Sequence, residues 1–380
     1  MQQGVAHESS IADLRRSELL GERVRWLPAV TGTTMGLAER AGGGEMVFPS
    51  TMGLSPERTE EVVRLAGMAP SLHNRQPWRF RLLPHLIELH FDPSARLPVA
   101  DPEDRELRLG CGAALFNLRI ALEHVGVRPV VTLLPRLHGQ SALAEVRAGR
   151  SDAPAPDEHR LHQAIPKRRS NRRPFLPTPV PEGDREALAR AVHEEGCRLH
   201  VVERERISAL EELVHRAHRA QMDDPKFRSE LARWTGRAEG EVEGVPVSAA
   251  GPEPEPHDRW LLRDFSAGQA RPRVPGKDFE NDPLVVAVCS YHAGRLSDLQ
   301  AGQAMQRMLL TATSLGLAAS LISQVIEVDE TRTELRRLLG GRLQPQALLR
   351  LGYGSPTPAT PRLEPAKLLI DGEATAESGP

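Results

Sequence analysis

The spacing of apolar residues from Ser55 onward predicts regular elements with clear boundaries. Ser55 can cap a helix, and Pro70 ends it. Apolar residues in WRFRLLP and HLIELHF predict a β-hairpin over residues 78–91. A long apolar-periodic segment, about residues 104–125, predicts a helix that Gly126 closes. The run PVVTLLP after it predicts a short buried strand.

The same pattern partly recurs in the second half of the chain. PLVVAVCSY predicts a strand, and residues 299–315 predict a helix that Gly316 ends. When the two long helices are aligned, Gly112 falls on Gly302 and Gly126 on Gly316. Small residues let helices approach closely, so we expect the pair to cross near a pseudo-two-fold axis. Two ordinary, unrelated amphipathic helices are the alternative.

Composition divides the chain into segments. Gly- and Pro-rich residues 236–276 are too long for a plain connector, which favours a lid carrying Trp260, Leu261, Leu262 and Phe265 as apolar contacts. We expect a loose N-terminal extension at 1–50, a first half at 51–150, a Pro/Ala/Asp linker at 151–160, a second half at 161–370 and a tail at 371–380.

The overall composition excludes several classes of protein. A chain of 380 residues with net charge −2 offers no basic field for nucleic acid or an anionic membrane. Its apolar runs are too short for a membrane span, and its first residues do not resemble a signal peptide. The three cysteines lie far apart, which predicts neither a disulfide framework nor a zinc site. We therefore expect a globular cytoplasmic protein without nucleic-acid or membrane partners.

The segment APSLHNRQPW at residues 69–78 concentrates hydrogen-bonding side chains in one turn between a helix and a strand. Ser71, His73, Asn74 and Gln76 could together bind the edge of a heteroaromatic ring. The alternative is a turn that bonds its own backbone, with Trp78 as a core anchor.

The segment KRRSNRR at residues 167–173 holds five cations among seven residues. Planar guanidinium groups bind phosphate oxygens through paired hydrogen bonds, so this run indicates a phosphate site. A solvated basic patch, or a nucleic-acid contact, is the alternative. The chain has no GxSxG, HExxH or Walker A motif. We accordingly predict no catalytic side chain and no metal ligand.

Both segments resemble elements of one family. APSLHNRQPWRF resembles the AP-S-x-x-N-x-Q-P-W element of nitroreductase-type FMN oxidoreductases, and IPKRRSNRRPF resembles their RRSxRxF element, with one extra residue before Phe175. LGYGSPTPATPRLEP resembles their closing strand and the Arg that follows it. Such proteins are homodimers of α+β subunits, and each FMN lies at the interface and takes groups from both chains.

The order of the motifs departs from that of the family, where RRSxR precedes APSxxN. Here APSLHN comes first, and no second copy follows RRSNR. A fused dimer that kept one composite FMN site would show this order, which is similar to the internally duplicated Acg family. The resemblance implies an α+β, nitroreductase-like fold. Its tandem duplicated halves would form a pseudo-dimer, with antiparallel or mixed sheets flanked by helices around two central helices.

The resemblance also implies which residues bind the cofactor. The residues that it assigns to the FMN phosphate and ribityl chain are Arg168, Arg169, Ser170, Arg172 and Arg362. Those that it assigns to the edge of the flavin ring are Pro70, Ser71 and Asn74, with His73 and Gln76 from the same turn. Those that it assigns to the redox face of the ring are Ser323 and Gln324.

The implied function is NAD(P)H-dependent reduction of a nitroaromatic or quinone-like small molecule through FMN. The cofactor supplies the hydride and electron chemistry, and the protein supplies position and electrostatics. One composite site implies one FMN per chain and makes a monomer the expected state. The alternative is a flavoprotein that sequesters FMN or stores redox equivalents under a lid, with little turnover. In a third interpretation the protein binds no flavin, and residues 167–173 form a surface that contacts protein or nucleic acid.

Overall fold

The computed structural model describes residues 48–135, 142–150, 155–255, 258–260, 262–270, 273 and 283–370. Several predicted features lie outside these residues: the extension up to residue 47, the first part of the linker at 151–154, Leu261 in the lid, and the tail. Phe48, within the predicted extension, is buried and packs in the main hydrophobic core.

Helices and strands alternate irregularly along the described chain. The helices are α1 (Pro56–Ala66), α2 (Arg105–His124), α3 (Pro156–Ala164), α4 (Glu182–Glu194), α5 (Ile207–Asp223), α6 (Pro225–Trp234), α7 (Arg295–Ser314), α8 (Gln324–Glu327) and α9 (Asp329–Leu338). The strands are β1 (Trp78–Leu83), β2 (Leu86–Phe91), β3 (Pro129–Leu133), β4 (Ala144–Ala148), β5 (Arg198–Val201), β6 (Leu284–Ser290), β7 (Ala318–Leu321) and β8 (Gln344–Gly352). This composition confirms the α+β class.

The strands form two four-stranded antiparallel sheets of matching topology. The first has the order β1-β2-β4-β3 and the second the order β5-β6-β8-β7. If the strands of each sheet are numbered in chain order, both sheets therefore have the spatial order first, second, fourth, third. This correspondence supports the predicted duplication.

Helices α2 and α7 cross at the centre of the molecule, as their small residues predict. A Cβ on Gly112 would lie 3.0 Å from the Cα of Gly302, and nearer still to the carbonyl oxygen of Leu299. A Cβ on Gly302 would meet Gly112 and Leu109 in the same way. The contacts are thus reciprocal, as a pseudo-two-fold axis through the crossing requires. The main core around this crossing draws buried residues from both halves.

The predicted hairpin and the start of the first helix are confirmed, whereas that helix ends at Ala66, before Pro70. Ser55 caps α1, where its hydroxyl oxygen accepts from the amide of Arg58 at 3.5 Å, and β1 and β2 pair over the expected residues. Among the described residues, no helix is long and apolar enough to cross a membrane.

Three sequence expectations need correction. PVVTLLP is not a buried strand, because β3 lies at the edge of its sheet and leaves Val130 53% exposed. Residues 156–160, predicted as linker, begin α3, since Pro156 suits a first helical turn. Helix α7 begins at Arg295, four residues before the predicted start. The sequence pattern did not predict this first turn because its polar residues carry no apolar period.

Candidate functional site

The turn between α1 and β1 has a strained backbone. His73, Asn74 and Gln76 have φ angles of 48°, 55° and 48°, in the left-handed region that side chains rarely adopt. The hydroxyl oxygen of Ser71 accepts from the amide of Gln76 at 2.9 Å and closes the turn. Backbone strain of this kind persists only where surrounding contacts hold it, and it concentrates at functional sites.

Asn74 and Gln76 tie this turn to two distant segments. The Nδ2 of Asn74 donates to the carbonyls of Val242 and Pro361 at 3.1 Å each. The Nε2 of Gln76 donates to the Val242 carbonyl at 2.6 Å, and its Oε1 accepts from the amide of Leu363 at 2.9 Å. The turn, the Gly- and Pro-rich loop and the C-terminal loop therefore meet at one place. The side-chain amides of Asn74 and Gln76, which the sequence assigned to a ligand, therefore hold this junction together.

Four arginines gather in a pocket beside the turn, which we call the basic pocket. Its lining encloses about 630 Å³, part of it open to solvent. The residues that line it come from the turn and Met68 before it, from the KRRSNRR segment and Ile165 before it, and from both loops: Met68, Pro70, Ser71, Asn74, Ile165, Arg168, Arg169, Ser170, Arg172, Val245, Ala359, Thr360 and Arg362. No carboxylate is among them.

Arg168 is the clearest sign that the basic pocket binds an anion. Its side chain is buried, and its Nε and one terminal nitrogen have no partner among the described residues. Burial, together with the neighbouring charges of Arg362 and Arg169, lowers the pKa of Arg168 to about 9. A guanidinium nevertheless stays charged at neutral pH. The lowered pKa therefore reflects the cost of burying this cation without a counter-ion.

Arg362 and Arg172 share that environment. Burial lowers the pKa of each to about 10; Arg169 contributes at Arg362, and Arg263 at Arg172. Arg362 donates to the Oδ1 of Asn74 at 2.9 Å and to the carbonyl of Ala69 at 3.2 Å, so its head is aimed at the turn, while its Nε lacks a partner within the described part of the chain. Unpaired donors and repelling positive charges together form a site for a multivalent anion such as phosphate.

A second pocket continues from the first and shares part of its wall. This central pocket encloses about 650 Å³, part of it open to solvent. Its lining mixes apolar and polar side chains from both halves: Pro70, Ser71, Leu72, His73, Glu106, Leu109, Gly110, Ser170, Arg172, Arg263, Phe265, Met305, Ser320, Leu321 and Ser323.

His73 is a buried, neutral hydrogen-bonding group on this wall. Burial lowers its pKa to about 3, and neither ring nitrogen has a partner among the described residues. A neutral imidazole can donate through one nitrogen and accept through the other. His73 is therefore available to a polar ligand in the central pocket.

The Gly- and Pro-rich loop closes one side of the central pocket through Arg263 and Phe265. The guanidinium of Arg172 lies 4.3 Å from the ring centroid of Phe265 and also donates to the carbonyl of Ala249 at 2.9 Å. Arg263 is buried and paired with Glu327, and it donates to the Ser323 hydroxyl at 3.2 Å. These contacts fix the loop against residues of the second half.

The predicted residues divide into those that line a pocket and those that do not. Ten line one or both pockets: Pro70, Ser71, His73, Asn74, Arg168, Arg169, Ser170, Arg172, Ser323 and Arg362. Gln76 is fully buried as a brace of the turn, and Gln324 is buried at the start of α8; neither belongs to either lining.

Sequence reasoning missed several side chains of the central pocket, notably Glu106, Met305 and Ser320. They lie on α2, α7 and β7, in segments whose pattern indicated only packing. Glu106 alone carried a signal, since it is an acidic residue in the first turn of a helix that becomes almost wholly buried. The described residues contain no cluster of three or more His, Cys, Asp or Glu suited to a metal ion.

Comparison with known proteins places this geometry in context. Residues 165–353 match the Nitroreductase family. The Mycobacterium tuberculosis protein named "Putative NAD(P)H nitroreductase Rv3131" is 34% identical over 318 residues, which cover 81% of this chain and 90% of the relative. Another from that organism, named "Putative NAD(P)H nitroreductase acg", is 32% identical over 321 residues, covering 83% and 96%. A nitroreductase with bound FMN from Desulfitobacterium hafniense aligns with TM-score 0.35 and 16% identity over 56% and 98%.

Proposed function

Because this chain belongs to the nitroreductase family, we propose that it is an FMN-dependent oxidoreductase that passes electrons from NAD(P)H to small acceptors. The acceptors we propose are nitroaromatic or quinone-like compounds. Two relatives carry the name "Putative NAD(P)H nitroreductase", and the two adjoining pockets offer room for the cofactor that such chemistry needs.

The observation that carries the proposal is the uncompensated charge of the basic pocket. Arg168 is buried, Arg172 and Arg362 lie half-buried beside it, and the lining of the basic pocket holds no carboxylate; burial lowers the pKa of each arginine. A phosphate monoester supplies two negative charges and several acceptor oxygens. Charge-assisted bonds from such guanidinium groups contribute about 1.5–3 kcal/mol each. The phosphate of FMN fits this chemistry better than a neutral ligand does.

The central pocket suits the flat, polar ring at the other end of FMN. Pro70, Ser71, Ser170 and Arg172 line both pockets, so one ligand can extend from one into the other along this shared wall. His73 offers there two ring nitrogens that no described residue bonds, and Ser323 lies on the opposite half. Bound FMN supplies the hydride chemistry, while these side chains hold and orient it and exclude water.

Visible spectroscopy of the purified protein tests this function. We expect a yellow protein with one FMN per chain, whose absorbance is bleached by NADH or NADPH without oxygen and restored by a nitroaromatic or quinone. Protein that stays colourless after FMN is added would contradict flavin binding. It would favour a protein- or nucleic-acid-binding role for residues 167–173.

A second function, FMN sequestration under a lid, is favoured by the loop that closes the central pocket. Phe265 lies inside the lining, and the buried pair of Arg263 with Glu327 anchors the loop beside it. Nicotinamide must reach the flavin ring to reduce it, and a loop that stays in place blocks that approach. Protein that binds FMN but is not bleached by NADPH would establish this second function in place of turnover.

Phe265→Ala separates the two functions. The variant removes the ring beside Arg172 without leaving a buried charge unpaired. Loss of about 1–2 kcal/mol of cation–π contact would raise the fraction of open loop roughly five- to thirtyfold. We expect stopped-flow reduction of bound FMN by NADPH to accelerate by a similar factor. Tyr291→Ala, at an exposed aromatic residue outside both pockets, is the control. An equal rate of FMN reduction in the wild type, Phe265→Ala and Tyr291→Ala would show that the loop does not gate access.

A further inference from the structure

Glu106 places a carboxyl group on the wall of the central pocket. It lies in the first turn of α2 and is buried. Its Oε1 accepts from Arg105 at 2.6 Å, and Arg105 in turn donates to the Oε1 of Gln346 at 2.9 Å. The carboxyl is therefore held in position beside the pocket.

Glu106 also lines a second, smaller cavity, which we call the acidic cleft. Its other charged lining residues are Asp101, Glu103, Glu327 and Asp329 together with Arg105 and Arg332. The side chains of Glu103 and Asp329 are 68% and 78% exposed, so the cleft communicates with solvent. Glu106 thus stands between an interior site and water, as a group that exchanges protons with both must do.

The other titratable side chains in the central lining cannot match Glu106 near neutrality. Burial raises the pKa of Glu106 to about 7; Asp101 and Glu327 raise it as well, and Arg105 opposes them. Burial lowers the pKa of His73 to about 3 and that of Arg172 to about 10. Arg263 is committed to its ion pair with Glu327. In the described lining, Glu106 alone can hold a proton at pH 6 and release it within the physiological range.

We propose that Glu106 is the proton donor to the electron acceptor bound in the central pocket. This inference rests on the proposed function. Bound FMN would supply a hydride, which carries two electrons and one proton, and a quinone reduced in this way would still need a second proton on its other oxygen. Glu106 supplies that proton: its O–H bond breaks, an O–H bond forms on the hydroquinone, and the carboxylate left behind is reprotonated from solvent through the acidic cleft. This departs from the sequence-based expectation that no side chain is catalytic.

Reoxidation kinetics distinguish a proton donor from a structural residue. In Glu106→Gln, we expect p-benzoquinone to reoxidise the reduced enzyme about 10²-fold more slowly, the low end of general acid catalysis. Ferricyanide accepts one electron without a proton, so its rate should stay unchanged. The wild-type rate with quinone should fall as pH rises above about 7, because only the protonated carboxyl donates, and this pH dependence should vanish in the variant.

Glu123→Gln is the matched control. Glu123 lies near the other end of α2, burial likewise raises its pKa to about 7, and it lines neither pocket. This variant should reoxidise at the wild-type rate with both acceptors. Equal slowing with quinone in both variants, or equal slowing with quinone and ferricyanide in Glu106→Gln, would overturn the proposal.

Infrared titration gives a readout that does not depend on turnover. Glu106 and Glu123 should both contribute to the part of the carboxylic acid C=O band that titrates near neutral pH, so this part should shrink in Glu106→Gln and keep the Glu123 contribution. A titrating band of the same size in wild type and Glu106→Gln overturns the inference. A wild-type protein that NADPH does reduce, but whose quinone rate Glu106→Gln leaves unchanged, refutes this inference alone. A protein that never binds FMN refutes the proposed function and this inference together.

Discussion

Replacing both Arg168 and Arg362 by methionine should weaken FMN binding about 10²- to 10⁴-fold. Each guanidinium forms charge-assisted bonds to phosphate that contribute about 1.5–3 kcal/mol, and every 1.4 kcal/mol corresponds to tenfold in the dissociation constant. Methionine keeps the apolar contacts of the arginine stem and removes the charged fork. Fluorescence titration of apoprotein with FMN measures the effect directly.

Arg173→Met provides the control for this experiment. Arg173 belongs to the same basic segment, but its side chain donates to the carbonyl of Pro356 and lines neither pocket. It should leave the dissociation constant within a factor of about two, since exposed charges contribute little. Unchanged affinity in the double variant would refute the assignment of the basic pocket to the phosphate.

Replacing Arg168 should not have the same effect on the stability of the apoprotein as it has on FMN binding. A buried guanidinium without a partner costs free energy, and a well-packed apolar side chain removes that cost. The single Arg168→Met variant should therefore unfold at the same or a higher denaturant concentration than wild-type apoprotein, although it binds FMN more weakly. Weaker binding together with undiminished stability is the result expected when the replaced residue serves to bind a ligand.

The sequence predicted the basic pocket because its chemistry is local. Arg168, Arg169 and Arg172 stand together in the chain, and no packing function explains so many cations in seven residues. Arg362 came only from the family resemblance, because a single Arg in a Pro-rich loop carries no pattern of its own. The central pocket was less predictable, since Glu106 and Phe265 reach it from opposite halves through long-range packing.

The turn at residues 69–78 shows how one pattern can combine two functions. The sequence left open whether its polar side chains bind a ligand or bond the protein itself. Gln76 bonds within the turn and to the neighbouring loops, and Trp78 is a fully buried core residue, as the structural alternative expected. Neither ring nitrogen of His73 has a partner in the described part of the chain, so both can serve a ligand. Hydrogen-bonding capacity was visible in the sequence, but its distribution depended on loops far along the chain.

The paired glycines were more informative about the fold, because a close helix crossing tolerates few residue types. A single Cβ at Gly302 would lie 2.9 Å from the Cα of Gly112 and nearer still to the Leu109 carbonyl oxygen. Backbone atoms cannot rotate away as a side chain can, so the two helices must separate. The reciprocal clash at Gly112 explains why the alignment of the two halves pairs these positions.

Gly302→Ala should consequently destabilise the protein by about 3 kcal/mol or more, at the upper end for overpacked cores. Denaturant unfolding followed by circular dichroism measures this loss. Gly183→Ala in α4 is the matched control: an added Cβ there meets nothing within 4 Å, so the higher helix propensity of alanine should stabilise by up to about 1 kcal/mol. A similar small gain at Gly302 would show that the helices do not cross as closely as described.

The double variant Gly112→Ala, Gly302→Ala tests whether the two clashes act on one contact. Once the first Cβ has separated α2 from α7, the second should cost less, so the combined loss should be smaller than the sum of the single losses. Because α2 carries Glu106 and Leu109 and α7 carries Met305, separation should also displace the walls of the central pocket. FMN affinity should therefore fall in the folded Gly302→Ala protein, whereas additive losses with unchanged affinity would contradict a crossing that positions the site.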